Sequence, residues 1–499
     1  MRARTLTGMV EDAFDRSPTR PFLTSPEGDR VTYADARDRS SQLARVLAGH
    51  GVGPGDRVAV QVEKSPQSMF LYLACLRVGA VFVPVNTAYT EPEVDYLVRD
   101  VDPSLVVRDP SRPPMGAGRP VLTLDEHGGG TLAGAAAGEA VDFDAAGPGP
   151  EDTAAILYTS GTTGRPKGAV LSQANLGSNA AALCETWAFR SDDVLLHALP
   201  LFHTHGLFVA TNCVIGSHAS LILLPRFDLT EVMRHLAESS VFMGIPTFYT
   251  RLLADDRFNR SLCANMRLFT SGSAPLPASV HAEFTARTGQ AIVERYGLTE
   301  TSILTSNPIG REKAGTVGLP LPGVDLRIVD PEPSTGDRST GSIEVRGPNV
   351  FSGYWRRPDT TRSEFASGGY FKTGDLGSID PEGYLTIVGR SKDVIITGGY
   401  NVYPKEVEDV LGALEGVQES AVVGLADDDL GERVVAVVVA RPGTRVDEQL
   451  VRSGARRVLA GYKVPKSVYF LDALPRNAMG KVEKAKIRDR LTEGQRPYS

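Results

Sequence analysis

The chain has 499 residues, 41% hydrophobic and 23% charged, an ordinary globular mix that is too long for one compact core and implies a large domain with a smaller companion. Its net charge of −7, with the basic residues scattered, argues against a nucleic-acid partner. No apolar run is long enough to span a bilayer, and the N-terminal MRARTLTGMVEDAF reads as an amphipathic helix rather than a signal peptide, so a cytoplasmic location without a membrane partner is expected.

In chain order the pattern alternates. RVTYADARDRSSQLARVLAGHGV reads as a strand followed by a helix ending at Gly51, DRVAVQVE as a strand, SMFLYLACLRVGA as a buried helix and AVFVPVN as a strand. Alternation of this kind predicts an α/β sheet with helices on its faces. From Ser111 to Pro150 the chain turns rich in Gly, Ala and Pro and reads as an irregular connection. A second α/β run, with strands in DVLLHAL and ASLILLP, extends from Thr153 to about Ala291. LRIVD, GSIEVRG and YLTIVG then suggest a small β-rich region. From Val394 a helix (PKEVEDVLGAL), two strands (ESAVVGL and RVVAVVVA) and a helix near Glu448 to Leu459 predict a compact α+β unit. Cys75, Cys184, Cys213 and Cys263 lie far apart without CxxC spacing, which points away from a zinc site or a disulfide framework.

The segment with the plainest chemistry is YTSGTTGRPKG, Tyr158 to Gly168, which follows the apolar strand AAILY. Its glycine N–H groups, the hydroxyls of Thr159, Ser160, Thr162 and Thr163, and the charge of Lys167 suit phosphate oxygens. It is not a P-loop, because Arg165-Pro166 follows Gly164 where that motif needs a lysine.

The string resembles the phosphate loop of the adenylate-forming superfamily, which includes acyl-CoA synthetases, luciferases and peptide-synthetase adenylation domains. The resemblance extends through SGSAPL (271–276), ERYGLTET (294–301), TGD (373–375), GRSKDVIITGGYNVYPKEVE (389–408) and PRNAMGKV near the C-terminus. It implies a large N-terminal AMP-binding domain over 1–390, a hinge over 391–393 and a mobile C-terminal domain over 394–499. It also implies ATP, Mg²⁺ and coenzyme A as reactants and cofactors: a carboxylate attacks the α-phosphorus of ATP, and a thiol then takes the acyl group.

Residue by residue, the resemblance assigns catalysis to Lys481, Thr299 and Glu300, with Glu300 and Thr163 on the metal. Nucleotide contacts fall to Thr159, Ser160, Gly161, Thr162, Thr163, Lys167, Gly272, Ser273, Ala274, Pro275, Glu294, Arg295, Tyr296, Gly297, Thr299, Asp375 and Arg390. Lys392 takes the hinge position, and Gly398 and Gly399 line the thiol channel of the second state. Read alone, Lys481 would be a solvated lysine in a basic tail and Asp375 a turn residue. Lys481 also lies in a motif that lysine acetyltransferases modify in related enzymes, which implies such an enzyme as a regulatory partner.

The acid is addressed by PLFHTHGLF and MGIPTFYTRLL. Arg251 after PTFYT reads as a bidentate carboxylate receptor, which points to a small diacid as substrate. With QVEKSPQS, VPVNTAYT and RGPNVFSGYWRRP, these strings resemble the malonyl-CoA synthetase branch of the superfamily. That branch implies Arg251, Ser273, His205 and Arg295 on the distal carboxylate and His203 as a gate to the acyl pocket. Without the resemblance, Arg251 reads as a helix arginine pairing with Asp255 or Asp256. Ile303 stands where the branch commonly has methionine, so methylmalonate is expected to be accepted alongside malonate. The chain ends at Ser499, soon after Lys481, which favours a stand-alone ligase with coenzyme A as acceptor. A different acyl-CoA ligase, a protein loading a carrier in trans, and a non-catalytic nucleotide sensor are the other readings.

Overall fold

The computed structural model describes residues 5–113, 118–159, 166–333, 339–477 and 480–493. Two sheets dominate the first part of the chain. A seven-stranded sheet runs in the order Gly353–Tyr354, Lys167–Ser172, Thr153–Thr159, Val81–Pro84, Arg57–Gln61, Leu105–Arg108 and Val121–Thr123. Its last five strands pair in parallel, and the two nearest the other edge are antiparallel. A nine-stranded sheet places Val194–His197, Val241–Gly244, Leu268–Ser271 and Ile292–Leu298 side by side in parallel. Parallel strands need crossover helices, which cover both faces and account for the continuous apolar runs seen in the sequence.

The helix Pro66–Val78 shows how local chemistry sets these crossovers. Ser65 caps it by accepting the Ser68 N–H at 3.2 Å, Pro66 starts it, and Gly79 ends it in the left-handed conformation. All residues from Ser68 to Val78 are buried, so the helix is enclosed all round, with the one charge in that stretch, Arg77, paired to Glu11 at 2.8 Å.

Between 111 and 150 the structure is more regular than expected. Val121–Thr123 adds a parallel strand beside Leu105–Arg108, and Thr131–Ala136 forms a short helix. An exposed sheet edge supplies hydrogen-bond partners that a Gly- and Pro-rich composition does not advertise.

The β-rich region is an antiparallel sheet of Asp325–Pro333, Ser339–Arg346, Phe371–Ile379 and Leu385–Arg390. One 3₁₀ turn, Ser391–Asp393, leads from it into a last sheet built on Val417–Asp427 and Gly431–Ala440. The run RVVAVVVA is buried on both faces: Val434, Ala436 and Val438 join one apolar cluster, and Val435, Val437 and Val439 join another. Period-two alternation between two covered faces explains why every position from Val434 to Val439 is apolar.

Among the described residues no helix is long and apolar enough to cross a membrane. All four cysteines are free.

Candidate active site

The phosphate-loop string sits at a hairpin. Thr153–Thr159 and Lys167–Ser172 pair antiparallel, with Thr159 opposite Lys167. Ser160, Gly161, Thr162 and Thr163 lie outside the described residues. Lys167 at the foot of the hairpin carries its Nζ 4.3 Å from the centre of the Tyr354 ring and 3.5 Å from Glu364. Tyr354 in turn donates its hydroxyl to Glu300 Oε1 at 2.8 Å. Glu300 is buried, and burial raises its pKa against the opposing pull of Tyr354, Arg390 and Lys167. Tyr354, which sequence reasoning left without a role in RGPNVFSGYWRRP, therefore links the loop lysine to the proposed metal carboxylate.

Thr299 is half-buried in the turn joining Ile292–Leu298 to Ser302–Ser306. That turn is tight: a Cβ on Gly297 would lie 1.8 Å from Ser302 O, so only glycine fits. Tyr296 donates its hydroxyl to Asp375 Oδ2 at 2.5 Å, and Arg390 Nε lies 3.0 Å from Asp375 Oδ1. Both oxygens of Asp375 are thus engaged within the protein, and the carboxylate's remaining lone pairs are what a ribose could use. In this arrangement Arg390 holds Asp375. Glu294 is buried and accepts from the Gly315 N–H at 3.3 Å, and burial pushes its carboxyl up to about 7.

The acid end is assembled from three separate elements. Arg295, on the strand Ile292–Leu298, is 5% exposed, and its Nε and Nη2 have no partner within the described residues. The Gly272 backbone lies flat against its guanidinium, because a Cβ there would be 2.4 Å from Arg295 Cζ. Ser273 follows with a φ of 69°, a strained value for a residue with a side chain, and its Oγ lies 3.5 Å from His205 Nδ1. Ala274 and Pro275 continue this turn towards solvent. His205 opens a π-helix, His205–Thr211, of the wide-turn kind found often at functional sites. Among the described residues its buried Nε2 has no partner, nor have the buried Thr204 Oγ1, Ser271 Oγ and Ser302 Oγ. His203 Nδ1 accepts the His205 N–H at 3.2 Å. Burial, with the Arg295 charge behind it, pulls His203 down to about 4 and lowers His205 as well. Both imidazoles are therefore neutral near pH 7, leaving Arg295 as the charge in this group. A buried cation with unused donors among neutral polar groups is a receptor for an anion.

Arg251 is exposed, where Arg295 is enclosed. Its helix, Pro246–Leu253, buries Phe248, Tyr249, Leu252 and Leu253, which leaves Arg251 exposed with its guanidinium over Phe227 at 5.8 Å. Among the described residues it makes no hydrogen bond or ion pair, and neither Asp255 nor Asp256 takes it; Asp255 pairs with Arg257 instead. Tyr249, whose hydroxyl donates to Thr270 O at 2.6 Å, is the side chain of that helix that borders Arg295. Position in the string could not separate the two arginines, whereas burial does.

The small domain reaches the same cleft. Gly480 presses on the start of the Arg251 helix, where a Cβ would meet Thr247 Oγ1 at 3.1 Å and Ile245 Cδ1 at 3.2 Å. Its φ of 72° also favours glycine. Lys481 beside it is pulled down to about 8, first by burial and then by Arg390, with Asp375 and Asp393 opposing. Lys392 lies exposed in the 3₁₀ turn, next to the ion pair of Asp393 with Arg488 at 3.1 Å. Gly398 and Gly399 form the exposed tip of a two-residue hairpin, both with positive φ, and Gly398 N donates to Leu430 O. This arrangement brings Lys481 to the cleft and leaves the two glycines on the surface of the small domain.

Two α/β sheets, an antiparallel sheet and a small α+β unit that lays a lysine into the shared cleft make up the adenylate-forming enzyme fold. The chain belongs to the AMP-binding enzyme family, which matches residues 10–355, with the AMP-binding enzyme C-terminal domain matching 406–481. It is similar to ATP-bound MatB from Rhodopseudomonas palustris, at 48% identity over 99% of each chain with a TM-score of 0.94. It is also similar to a feruloyl-CoA synthase of an Amycolatopsis species, at 37% identity over 93% of this chain and 94% of the relative. A malonate–CoA ligase of Arabidopsis thaliana is 34% identical over 93% of this chain and 82% of its own length.

Proposed function

We propose that this protein is an AMP-forming acid–thiol ligase that uses ATP to activate malonate and passes the acyl group to coenzyme A. The observation that carries the choice of acid is the buried Arg295 guanidinium with two unused donors, beside Ser273 and His205. An apolar acid would leave that charge unpaired, whereas the distal carboxylate of a short diacid would satisfy it. The resemblances to MatB and to a malonate–CoA ligase support the same reading. Arg295, Ser273 and His205 take the distal carboxylate, with Arg251, exposed on the helix that Gly480 touches, as a further cation for the same group.

The reacting carboxylate then lies between the receptor and Lys481. The lysine ammonium offsets repulsion between the carboxylate and the α-phosphate as they approach. Thr299 and the facing strand ends Thr159 and Lys167 orient the phosphates, and Asp375 with Tyr296 holds the ribose. Glu300, a buried carboxylate braced by Tyr354, fits Mg²⁺ that takes its other ligands from phosphate oxygens. Bound there, the ion would neutralise charge on the triphosphate. After adenylation, rotation about 391–393 withdraws Lys481 and brings the Gly398–Gly399 hairpin towards the cleft for thiol entry.

Pyrophosphate release measured over malonate, methylmalonate, acetate, butyrate and ferulate, with and without coenzyme A, tests the assignment. Malonate-dependent release, with malonyl-CoA formed only when the thiol is present, is expected. Preference for ferulate or butyrate over malonate would overturn the choice of acid, and pyrophosphate release without thioester would overturn the acceptor.

A further inference from the structure

A buried lysine outside the cleft has no part in the chemistry above. Lys64 stands in QVEKSPQS, just ahead of the Ser65 cap, and is 8% exposed. It follows the strand Arg57–Gln61 of the seven-stranded sheet, yet the partners of its ammonium among the described residues belong to the end of Val194–His197, in the nine-stranded sheet, and the residues after it. Nζ lies 2.8 Å from His197 Nδ1, 2.7 Å from His197 O and 2.8 Å from Leu199 O.

The protonation of this group follows from its hydrogen bonds. His197 Nε2 lies 2.9 Å from Gly206 O, which can only accept, so Nε2 carries a proton; burial, with Lys64 beside it, keeps the imidazole neutral, so Nδ1 is bare. Lys64 therefore faces three acceptors, and only the ammonium has three N–H groups to give them; a neutral amine would leave one acceptor unmet. Burial opposes the charge on Lys64, so the three convergent acceptors are what hold it.

The far end of this chain of bonds is the entry to the π-helix. Gly206 O also accepts from Thr211 Oγ1 at 3.1 Å. Gly206 itself is pressed against the Leu199–Pro200 backbone, since a Cβ there would be 2.1 Å from Pro200 O. Lys64 thus grips both sides of one junction: Leu199 O directly, and Gly206 O through His197. The residue before Gly206 is His205, whose Nδ1 faces Ser273.

We propose that Lys64 and His197 are positioning residues for the acid site, which fix the entry of the π-helix so that His205 is held towards Ser273 and Arg295. The inference rests on reading the Arg295, Ser273 and His205 cluster as the acid receptor. It makes selectivity for the acid depend on a contact between the two large sheets, whose Lys64 half lies far along the chain from the strings that address the acid.

The test compares wild-type protein with Lys64→Met, using pyrophosphate release to obtain KM for the acid, KM for ATP and the malonate-to-butyrate ratio of kcat/KM. Loss of the buried bonds should raise the acid KM and narrow the ratio by about tenfold each, with the ATP KM within about twofold of wild type. A folded Lys64→Met protein whose acid KM and ratio are unchanged, or whose acid and ATP KM rise together, overturns the proposal. Should Lys64→Met not fold, the same constants are read from His197→Leu and His197→Gln. The Gln amide can present an acceptor to Lys64 and a donor to Gly206 O, so it should restore the acid KM relative to Leu; equal losses in the two overturn the proposal. The wild-type acid panel separates this from the substrate assignment. If wild-type protein prefers another acid, malonate is wrong, and the positioning role is still decided by the KM for the acid it does use.

Discussion

Replacing Arg295 with leucine should do two opposite things. Burial pulls the guanidinium far below the ordinary arginine range, to about 9, so at about 1.4 kcal/mol per pH unit the free protein carries a charged group disfavoured by about 5 kcal/mol. A substrate carboxylate that pairs with it recovers a cost of that order. The corresponding discrimination is roughly 10³ to 10⁴, close to the range for sites that reject analogues lacking a buried partner. Arg295→Leu should therefore lower kcat/KM for malonate about a thousandfold or more and leave butyrate unchanged or improved. Thermal stability should hold or rise, because an unpaired buried charge has been removed. Steady-state kinetics on the two acids and a thermal melt, taken on the same preparation, measure both effects. If the variant rejects butyrate as strongly as wild type, Arg295 is not the receptor. A fall in Tm with selectivity retained would make it a structural cation instead.

Four further outcomes follow from the same geometry. Lys481 loses its proton as pH rises through about 8, and the ammonium is the useful form, so kcat/KM for adenylation should fall on the alkaline side of that value. Two bound anions raise the lysine's pKa, so the matching limb in kcat should lie at higher pH; coincident limbs would exclude Lys481 as the group observed. Tyr354→Phe removes the 2.8 Å bond that braces Glu300 and should raise the Mg²⁺ concentration needed for half-maximal adenylation about five- to thirtyfold, with an unchanged requirement counting against Glu300 as the ligand. Gly480→Val, at a φ of 72° and against Thr247, should depress pyrophosphate release much more than conversion of supplied malonyl-adenylate to thioester. Ile303→Met should lower the methylmalonate-to-malonate ratio of kcat/KM, and an unchanged ratio would show that this position does not border the C2 substituent.

What the sequence determined by itself is the local part of this protein. RVVAVVVA read as a strand and SMFLYLACLRVGA as a buried helix, because periodicity and apolar content act over a few residues. The ordered motifs likewise carried the fold, since each belongs to one short loop. The acid site was legible only in part, because burial is a property of elements packed together rather than of a string. Arg251 and Arg295 are equally cationic on paper, and only packing of the helix Pro246–Leu253 against the sheet left one on the surface and enclosed the other. The same holds for Tyr354 on Glu300, for Gly480 on Thr247 and for Lys64 on His197. Each joins residues far apart in the chain, and no local pattern encodes a contact whose two halves are brought together only by the tertiary fold.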